Sequence, residues 1–283
     1  MTVDNFLIEG TSKLSLAGIG TARLDSLILL EDVLEIDRAK LLAEPKLALT
    51  TTQQARLAKL LKRRAAHEPL SYIRGFTEFY GRSFVITPAV LEPRPESETM
   101  IELLLELLKR PHDTPKGPDF SPDWPAKPRI ADVGAGSGAL GITAQLELPQ
   151  AKIDLLEIDL RAIQVAKTNV DLLTPHMAVI KSDLLAQTAT DYHILLCNLP
   201  YVPDDHQINE AAAQEPRLAI FGGPDGLNIY RRLFSQVSEL SKRPLFILTE
   251  SLPPQHPALQ KLAEANGYGL RQVEDFIQLF EQI

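Results

Sequence analysis

The apolar positions in the first part of the chain recur at helical spacing. Between Thr21 and Ala66, leucine and isoleucine return every three or four residues, which predicts small amphipathic helices whose leucines form a core. One of the three threonines at 50–52 is expected to cap the second helix. Residues 76–91 are then aromatic and β-branched around Gly81, which predicts a hairpin. The run from Glu96 to Lys109 predicts a further helix.

Farther along, apolar runs alternate with helical patterns. Residues 111–128 come first and are rich in proline, which predicts an exposed, semi-stiff loop with Trp124 as a local packing anchor. The alternation after this loop predicts a parallel sheet with helices on both faces, with ligands bound beyond the carboxyl ends of the strands. The predicted strands are Arg129–Gly134, Lys152–Ile158, Ala178–Asp183, His193–Asn198 and Leu245–Glu250. Three helices are predicted between these strands. The first begins at about Ala139, the second covers residues 161–171, and the third lies around residues 226–240.

The 283 residues therefore divide into a helical domain (residues 1–75), a hairpin linker (76–95) and an α/β domain (96–283). The sequence has neither the basic start and apolar stretch of a signal peptide nor an apolar run near the ~18 residues of a membrane helix. Its single cysteine, Cys197, excludes an internal disulfide framework and a cysteine-rich zinc site. We expect a cytoplasmic protein without a metal.

The charge of the chain argues against long nucleic acid as a ligand. There are 29 Lys and Arg against 37 Asp and Glu, a net charge of −8, whereas phosphate neutralisation needs a basic surplus. The helical domain nevertheless carries a basic cluster, which is either a solvated helix face or a docking patch for an acidic or RNA-bound partner. The cluster consists of Arg56, Lys59, Lys62, Arg63 and Arg64.

A glycine-rich turn, DVGAGSG at residues 132–138, ends the first predicted strand and opens a helix. Glycines there allow positive φ and close approach of a ligand, and the helix adds unpaired N–H groups. The spacing Gly136-x-Gly138-x-x-Gly141 also satisfies a dinucleotide turn, and a purely structural turn is a third reading. In either ligand-binding case an acid at the end of the next strand would hold ribose hydroxyls. Glu157 is better placed for this than Asp159.

Two further carboxylates favour a nucleoside without a pyrophosphate. Asp132 places a negative charge beside the turn, which suits an ammonium group and repels phosphate. Asp183, at the end of the third predicted strand, either accepts a hydrogen bond from an adenine amino group or caps a helix or turn. S-adenosylmethionine carries both an ammonium group and an adenine.

The segment Asn198–Tyr201 (NLPY) follows the fourth predicted strand. Pro200 favours an extended Leu199, so the Asn198 side-chain oxygen and the Leu199 carbonyl can bind both hydrogens of a planar –NH₂ group. Tyr201 offers a wall for the group that bears it. Because an amide or exocyclic amine nitrogen is a poor nucleophile, two aimed acceptors would orient it and support the positive charge that grows as it attacks a methyl sulfonium.

Together these motifs resemble those of the HemK/PrmC family, S-adenosylmethionine-dependent methyltransferases that modify the glutamine of the GGQ loop in peptide chain release factors. ARLDSLILLEDVL is similar to the family's helical N-terminal domain, and EPLSYIRGFTEFYGRSFVITPAVLEPRPESE is similar to its hairpin and PRPETE-like segment. DVGAGSG resembles its cofactor turn, EIDLRAIQVAKTN its ribose-binding segment and NLPY its NPPY. EPRLAIFGGPDGLNIYRRL resembles its downstream block.

The resemblance implies an α/β, Rossmann-like methyltransferase sheet with a small helical N-terminal domain that docks the substrate, joined by a β-hairpin. It implies that Asn198 and the Leu199 carbonyl hold the glutamine amide, that Pro200 shapes the loop, and that Tyr201 lines the pocket. Arg94 and Glu96 are expected to support its wall. The residues implied to contact S-adenosylmethionine, which leaves as S-adenosylhomocysteine, are Gly134, Ala135, Gly136, Ser137, Gly138, Glu157, Asp183 and Asn198.

The sequence departs from the family pattern at three places. Leu199 replaces the first proline of NPPY but keeps the carbonyl, and NLPY is also the spelling in rRNA dimethyladenosine transferases. Glu157 replaces the more usual aspartate. The chain ends at Ile283 without the family's basic final strand, so the sequence does not decide whether the last hairpin of the sheet forms.

We therefore expect transfer of a methyl group from S-adenosylmethionine to the side-chain amide nitrogen, N5, of the GGQ glutamine of a release factor. The enzyme is expected to act as a monomer without direct sequence-specific binding of nucleic acid. The alternatives are a methyltransferase for a ribosomal protein glutamine or for adenine, a nicotinamide-dependent oxidoreductase, and a non-catalytic module that binds release factors.

Overall fold

The computed structural model describes residues 1–109 and 127–283. Most of the predicted proline-rich loop, including Trp124, lies outside the described residues. The chain forms two compact units, one made of residues 1–75 and 208–214, the other of residues 76–207 and 215–283.

The first unit is helical. Thr50 caps its longest helix through a capping box with Gln53, which confirms the predicted threonine cap. The leucine core is present, although Leu24, which the apolar pattern assigned to it, is exposed. The first helix was not predicted, because Gly10 and several polar residues interrupt its apolar spacing. The helices are α1 (Val3–Leu16), α2 (Ala22–Leu34), α3 (Arg38–Ala43), α4 (Thr51–Ala65) and α5 (Leu70–Arg74).

The predicted hairpin forms, and its residues belong to the second unit. Strands β1 (Phe76–Phe79) and β2 (Arg82–Val85) pair antiparallel, and the two residues between them, Tyr80 and Gly81, both have positive φ. Such a two-residue turn matches the twist of the strands. Helix α6 (Glu98–Lys109) follows.

The described residues of this unit contain a seven-stranded sheet whose order is β5-β4-β3-β6-β7-β9-β8. Strands β3 to β7 are parallel, while β9 is antiparallel to both β7 and β8. This confirms the predicted Rossmann-like α/β fold. The strands are β3 (Arg129–Val133), β4 (Lys152–Glu157), β5 (Ala178–Lys181), β6 (Ile194–Cys197), β7 (Phe246–Glu250), β8 (Tyr268–Glu274) and β9 (Ile277–Gln282). The helices are α7 (Ala139–Glu147), α8 (Leu160–Leu173), α9 (Arg217–Ile220), α10 (Asn228–Glu239) and α11 (His256–Glu264).

The last hairpin of the sheet, left open by the sequence, is formed by β8 and β9. Strand β9 pairs antiparallel with β7 along its length, from Phe246 opposite Glu281 to Glu250 opposite Ile277. Its alternate side chains pack on opposite faces, with Leu279 in one core and Phe280 in the other. Backbone pairing and apolar packing hold β9 in the sheet. The strand therefore forms without the basic residues that are common in the final strand of the family.

Helices cover both faces of the sheet. Helices α6, α7 and α8 pack on one face, where Ile130, Leu155 and Leu248 are buried, and α10 and α11 pack on the other, where Leu195 and Ile247 are buried. The strand order reverses between β3 and β6, and a ligand site is expected at the carboxyl ends of these two strands. None of the helices in the described parts of the chain is long and apolar enough to cross a membrane.

Candidate active site

A cavity of about 1180 Å³, including its open mouth, lies at the carboxyl ends of β3, β4 and β6. Its lining is mainly apolar, with a few polar groups, as is usual for a small-molecule site. The glycine turn, Glu157, Asp183 and the segment 198–200 all line it. The structure therefore brings together in one cavity most of the residues that the sequence singled out.

The glycine turn between β3 and α7 adopts the backbone that its composition predicts. Gly134, Gly136 and Gly138 have φ values of +75°, +55° and +81°, a region that side chains disfavour. At Gly136 no protein atom lies within 4 Å of the position that a Cβ would occupy. The turn thus leaves room for a ligand to approach the backbone.

Glu157 ends β4 and is buried beneath this turn. Its Oε2 accepts a hydrogen bond from the Gly136 N–H at 2.8 Å. Its Oε1 accepts from the N–H groups of Ile158 and Asp159 at 2.7 and 2.9 Å. A carboxylate has about four acceptor positions, so Oε2 keeps capacity for a hydroxyl of a ligand. Asp159 instead caps α8 through the Arg161 N–H, in line with its lower ranking as a ribose ligand.

Two other carboxylates lie at the cavity wall. Asp132 is buried and accepts a hydrogen bond from the Gly141 N–H at 2.8 Å, and burial raises its pKa to about 7. Asp183 is more exposed, and its Oδ2 forms an ion pair with Arg232 at 2.6 Å. The Asp183 side chain is held by this ion pair, and among the described residues no backbone N–H donates to it as the cap of a helix or turn would require.

Asn198 follows β6 and is oriented by residues distant in the sequence. Its Nδ2 donates to Ser97 Oγ at 2.9 Å, and Ser97 Oγ donates to Glu250 Oε2 at 2.6 Å. The Tyr201 hydroxyl donates to Glu250 Oε1 at 3.0 Å. Tyr201 is not among the residues that line the cavity, so its hydroxyl contributes to the site through Glu250.

The block EPRLAIFGGPDGL packs along the NLPY segment. The Val202 N–H donates to Ile220 O at 3.0 Å, and the Gly222 N–H donates to Val202 O at 2.9 Å. Gln255, outside the block, bridges the two segments by donating to Tyr201 O and Asp225 O. A Cβ on Gly222 would lie 2.3 Å from Pro200 O, so only glycine allows the two backbones to approach this closely. The resemblance of this block to the family thus has a structural reason, because the block holds the loop that carries Asn198.

Arg94 pairs with Glu215 at the start of that block, with Nη2 and Oε2 2.5 Å apart. Burial raises the pKa of Glu215 to about 7, while Arg94 opposes this rise. Arg94 therefore ties the segment before α6 to the EPRL block, whereas Glu96 is exposed. The sequence did not mark Ser97 or Glu250 as site residues. The available signals were the position of Ser97 inside PRPESE and that of Glu250 at the carboxyl end of a predicted strand.

The charges of the cavity fit S-adenosylmethionine better than a dinucleotide. The described lining contains the carboxylates of Asp132, Glu157, Asp159 and Asp183 and a single guanidinium, that of Arg232, which Asp183 neutralises. Such a lining attracts a cation and repels a pyrophosphate. Within residues 1–109 and 127–283, no group of three or more His, Cys, Asp or Glu side chains is placed to hold a metal ion.

Comparisons with known proteins identify methyltransferase relatives of this chain. A family model for the PrmC N-terminal domain matches residues 5–75, and one for the methyltransferase small domain matches residues 119–215. Release factor glutamine methyltransferase of Koribacter versatilis is 35% identical over 244 residues, covering 84% of this chain and 82% of that enzyme. Release factor glutamine methyltransferase of Coxiella burnetii is 34% identical over 257 residues, covering 90% and 87%.

Among solved structures, a methyltransferase from Pyrococcus furiosus has the same fold. Its TM-score is 0.50 at 14% identity, and the match covers 82% of this chain and 98% of that one. The protein is an enzyme, and its methyl donor is S-adenosylmethionine. The identity and coverage of the relatives show that the chain belongs to the family of release factor glutamine methyltransferases.

Proposed function

We propose that this enzyme transfers a methyl group from S-adenosylmethionine to the side-chain amide nitrogen of the GGQ glutamine in a peptide chain release factor. The observation that carries the proposal is the orientation of the Asn198 carboxamide. Its nitrogen is bound to Ser97, and within the described residues no hydrogen bond reaches its oxygen. An unpartnered acceptor at the cavity wall matches the N–H of a substrate amide.

Asn198 and its neighbours would bind and orient the nucleophile. Asn198 Oδ1 and the Leu199 carbonyl are the two proposed acceptors for the glutamine –NH₂ group, and Pro200 shapes the loop between them and Tyr201. Holding a weak nucleophile in line contributes to the rate, and acceptors aimed at its growing positive charge contribute further. The nitrogen loses a proton after the transfer, so no side chain with a pKa near neutrality is needed as a base.

The opposite part of the cavity would hold the methyl donor. When bound, S-adenosylmethionine supplies an electrophilic methyl group on a sulfonium. The backbone of residues 134–138 would allow the close approach, Glu157 Oε2 would accept from a ribose hydroxyl, and Asp183 would accept from the adenine amino group. Asp132, in the cavity lining, would attract the ligand's ammonium group.

The partner is proposed to be a release factor in the cytoplasm, bound by a monomer of the enzyme. The 34% and 35% identical relatives support this substrate by their names and by the share of each chain that matches. The net charge of −8 supports a protein substrate over adenine in nucleic acid.

The test is mass spectrometry of a release factor incubated with the enzyme and S-adenosylmethionine. We expect a gain of one methyl group on the GGQ glutamine with the wild type. Asn198→Ala should lower the rate ~10²–10³-fold, because it removes a hydrogen bond made to the reacting group. Calorimetry should give both proteins nearly the same affinity for S-adenosylmethionine. No methylation by a wild type that binds the cofactor would overturn the proposed substrate, and equal losses of binding and turnover in the variant would overturn the role of Asn198.

A further inference from the structure

The Asn198 carboxamide is one end of a chain of hydrogen bonds through four side chains. From Asn198 the chain runs to Ser97, then to Glu250, which also accepts from Tyr201. Ser97 lies directly before α6, Asn198 directly after β6, and Glu250 at the end of β7. Three elements of the α/β unit therefore meet at this chain.

The direction of the chain follows from the chemistry of its members. Ser97 has a single hydroxyl proton, which it donates to Glu250 Oε2 at 2.6 Å. The oxygen of Ser97 can then only accept from Asn198, and Nδ2 is the only donor of that carboxamide. Asn198 Oδ1 is left as the free acceptor. The two ends of a carboxamide have nearly the same shape, so packing alone would not choose between them.

The surroundings of Glu250 support this direction. Burial and the charge of Glu96 raise the pKa of Glu250, and the hydroxyls of Ser97 and Tyr201 and the charge of Arg94 oppose this rise. Burial and the negative charge of Glu250 raise the pKa of Tyr201, so the tyrosine keeps its proton and donates. Both oxygens of Glu250 thus receive hydroxyl donors.

We propose that Ser97 and Glu250 are positioning residues that set the orientation of the Asn198 carboxamide, with its oxygen and not its nitrogen presented to the substrate. The reversed carboxamide would place –NH₂ against the –NH₂ of the glutamine, donor against donor. This inference rests on the proposed function for its consequence in catalysis, while the orientation itself can be measured without a substrate.

The orientation is tested by NMR of the full chain labelled with ¹⁵N-asparagine. The side-chain signals of Asn198 are identified by their loss in Asn198→Ala. In the wild type, we expect slow exchange with water for the Asn198 proton that is bound to Ser97. Ser97→Ala should speed this exchange ~10-fold or more because the acceptor is gone, and Ser97→Thr, which keeps the hydroxyl, should not. Unchanged exchange in Ser97→Ala would overturn the orientation by Ser97.

The consequence for catalysis is tested with the same pair of variants and a release factor. Ser97→Ala should lower kcat ~10–100-fold, with KM for the release factor and the affinity for S-adenosylmethionine nearly unchanged. Ser97→Thr should restore kcat to within about threefold of the wild type. A residue that only supports the fold would instead lower the melting temperature and affect both substrates.

The outcomes separate the two proposals. If the wild type methylates the release factor and Ser97→Ala has a normal kcat, the positioning role is wrong and the proposed function stands. If the wild type leaves the release factor unmodified but the exchange of the Asn198 amide depends on Ser97, the proposed function is wrong and the orientation by Ser97 stands.

Discussion

The cofactor side and the amide side of the cavity are built in different ways. The cofactor side is defined as residues 134–138 with Glu157 and Asp183. It depends on hydrogen bonds between groups closer in the sequence, such as that from the Gly136 N–H to the Glu157 carboxylate, 21 residues apart. The amide side, defined as residues 198–201 with Ser97 and Glu250, depends on side chains 101 and 153 residues apart. The first is therefore readable as a local motif, whereas the second exists only once the sheet has formed.

The difference implies that binding of the cofactor and turnover can be damaged separately. Glu157→Ala should lower the affinity for S-adenosylmethionine ~10–100-fold, because it removes both an acceptor for the ribose and the support of the turn. At saturating cofactor, most of kcat should remain. Calorimetry and initial rates measure the two effects. Asp159→Ala is the control, since its carboxylate caps α8 and its loss should cost ~1 kcal/mol of stability with little change in affinity. If Asp159→Ala lost more affinity for S-adenosylmethionine than Glu157→Ala, Asp159 and not Glu157 would be the ribose ligand.

Gly222→Ala should give the opposite result on the amide side. A Cβ there would meet the backbone oxygens of Pro200 and Gly226 at 2.3 and 2.2 Å, so the loop that carries Asn198 must shift. We expect kcat to fall about 10-fold with little change in the affinity for S-adenosylmethionine. The control is Gly20→Ala, where no atom lies within 4 Å of the added Cβ. Normal turnover in Gly222→Ala would show that the loop tolerates the displacement.

Asp132 makes the cofactor side sensitive to pH. Burial and the charge of Glu157 raise its pKa from an ordinary value near 3.8 to about 7, although the Gly141 N–H lowers it. A raised folded-state pKa gives stability that is complete below the unfolded pKa and is lost as the pH rises through 7. Asp132→Asn keeps the acceptor for Gly141 without the charge. Its stability advantage over the wild type should therefore widen by roughly 2–3 kcal/mol between pH 5 and pH 8.

Melting curves of the unliganded proteins at the two pH values measure this effect. S-adenosylmethionine should narrow the gap at pH 8, because its ammonium group favours the ionised Asp132 of the wild type. If the difference in stability between Asp132→Asn and the wild type is the same at both pH values, Asp132 has an ordinary pKa. If the cofactor stabilises both proteins equally, Asp132 does not interact with the ammonium group.

The smallest expected effect is at Arg232, which orients Asp183. Both side chains are partly exposed, so the pair contributes little by itself. Arg232→Ala should lower the affinity for S-adenosylmethionine ~2–5-fold at low salt. About 1 M salt should reduce this difference in affinity by screening the ion pair. The neighbouring Arg231 pairs with Asp225 outside the described cavity lining, so Arg231→Ala is the matched control. Equal effects of the two variants, measured by calorimetry, would exclude a specific role of Arg232.

Much of the fold and part of the site could be predicted because the signals are local. The glycine turn, the hairpin at Gly81, the cap at Thr50 and the five parallel strands follow from composition and spacing within short segments. The final hairpin could not be assigned, since β9 depends on its pairing with β7. Tyr201 was expected at the pocket wall, but its place is decided by a hydrogen bond to Glu250, 49 residues away.

The amino-acid sequence by itself determined the α/β class, the glycine turn and the family, because glycine backbone freedom and apolar periodicity act over short distances. The tertiary structure alone decided which end of the Asn198 carboxamide is free. A carboxamide can turn either way in an isolated segment, and its direction is chosen only when Ser97 and Glu250 arrive from distant parts of the chain. The physical reason is that Ser97 has one proton, which it donates to Glu250, so its oxygen can only accept from Asn198.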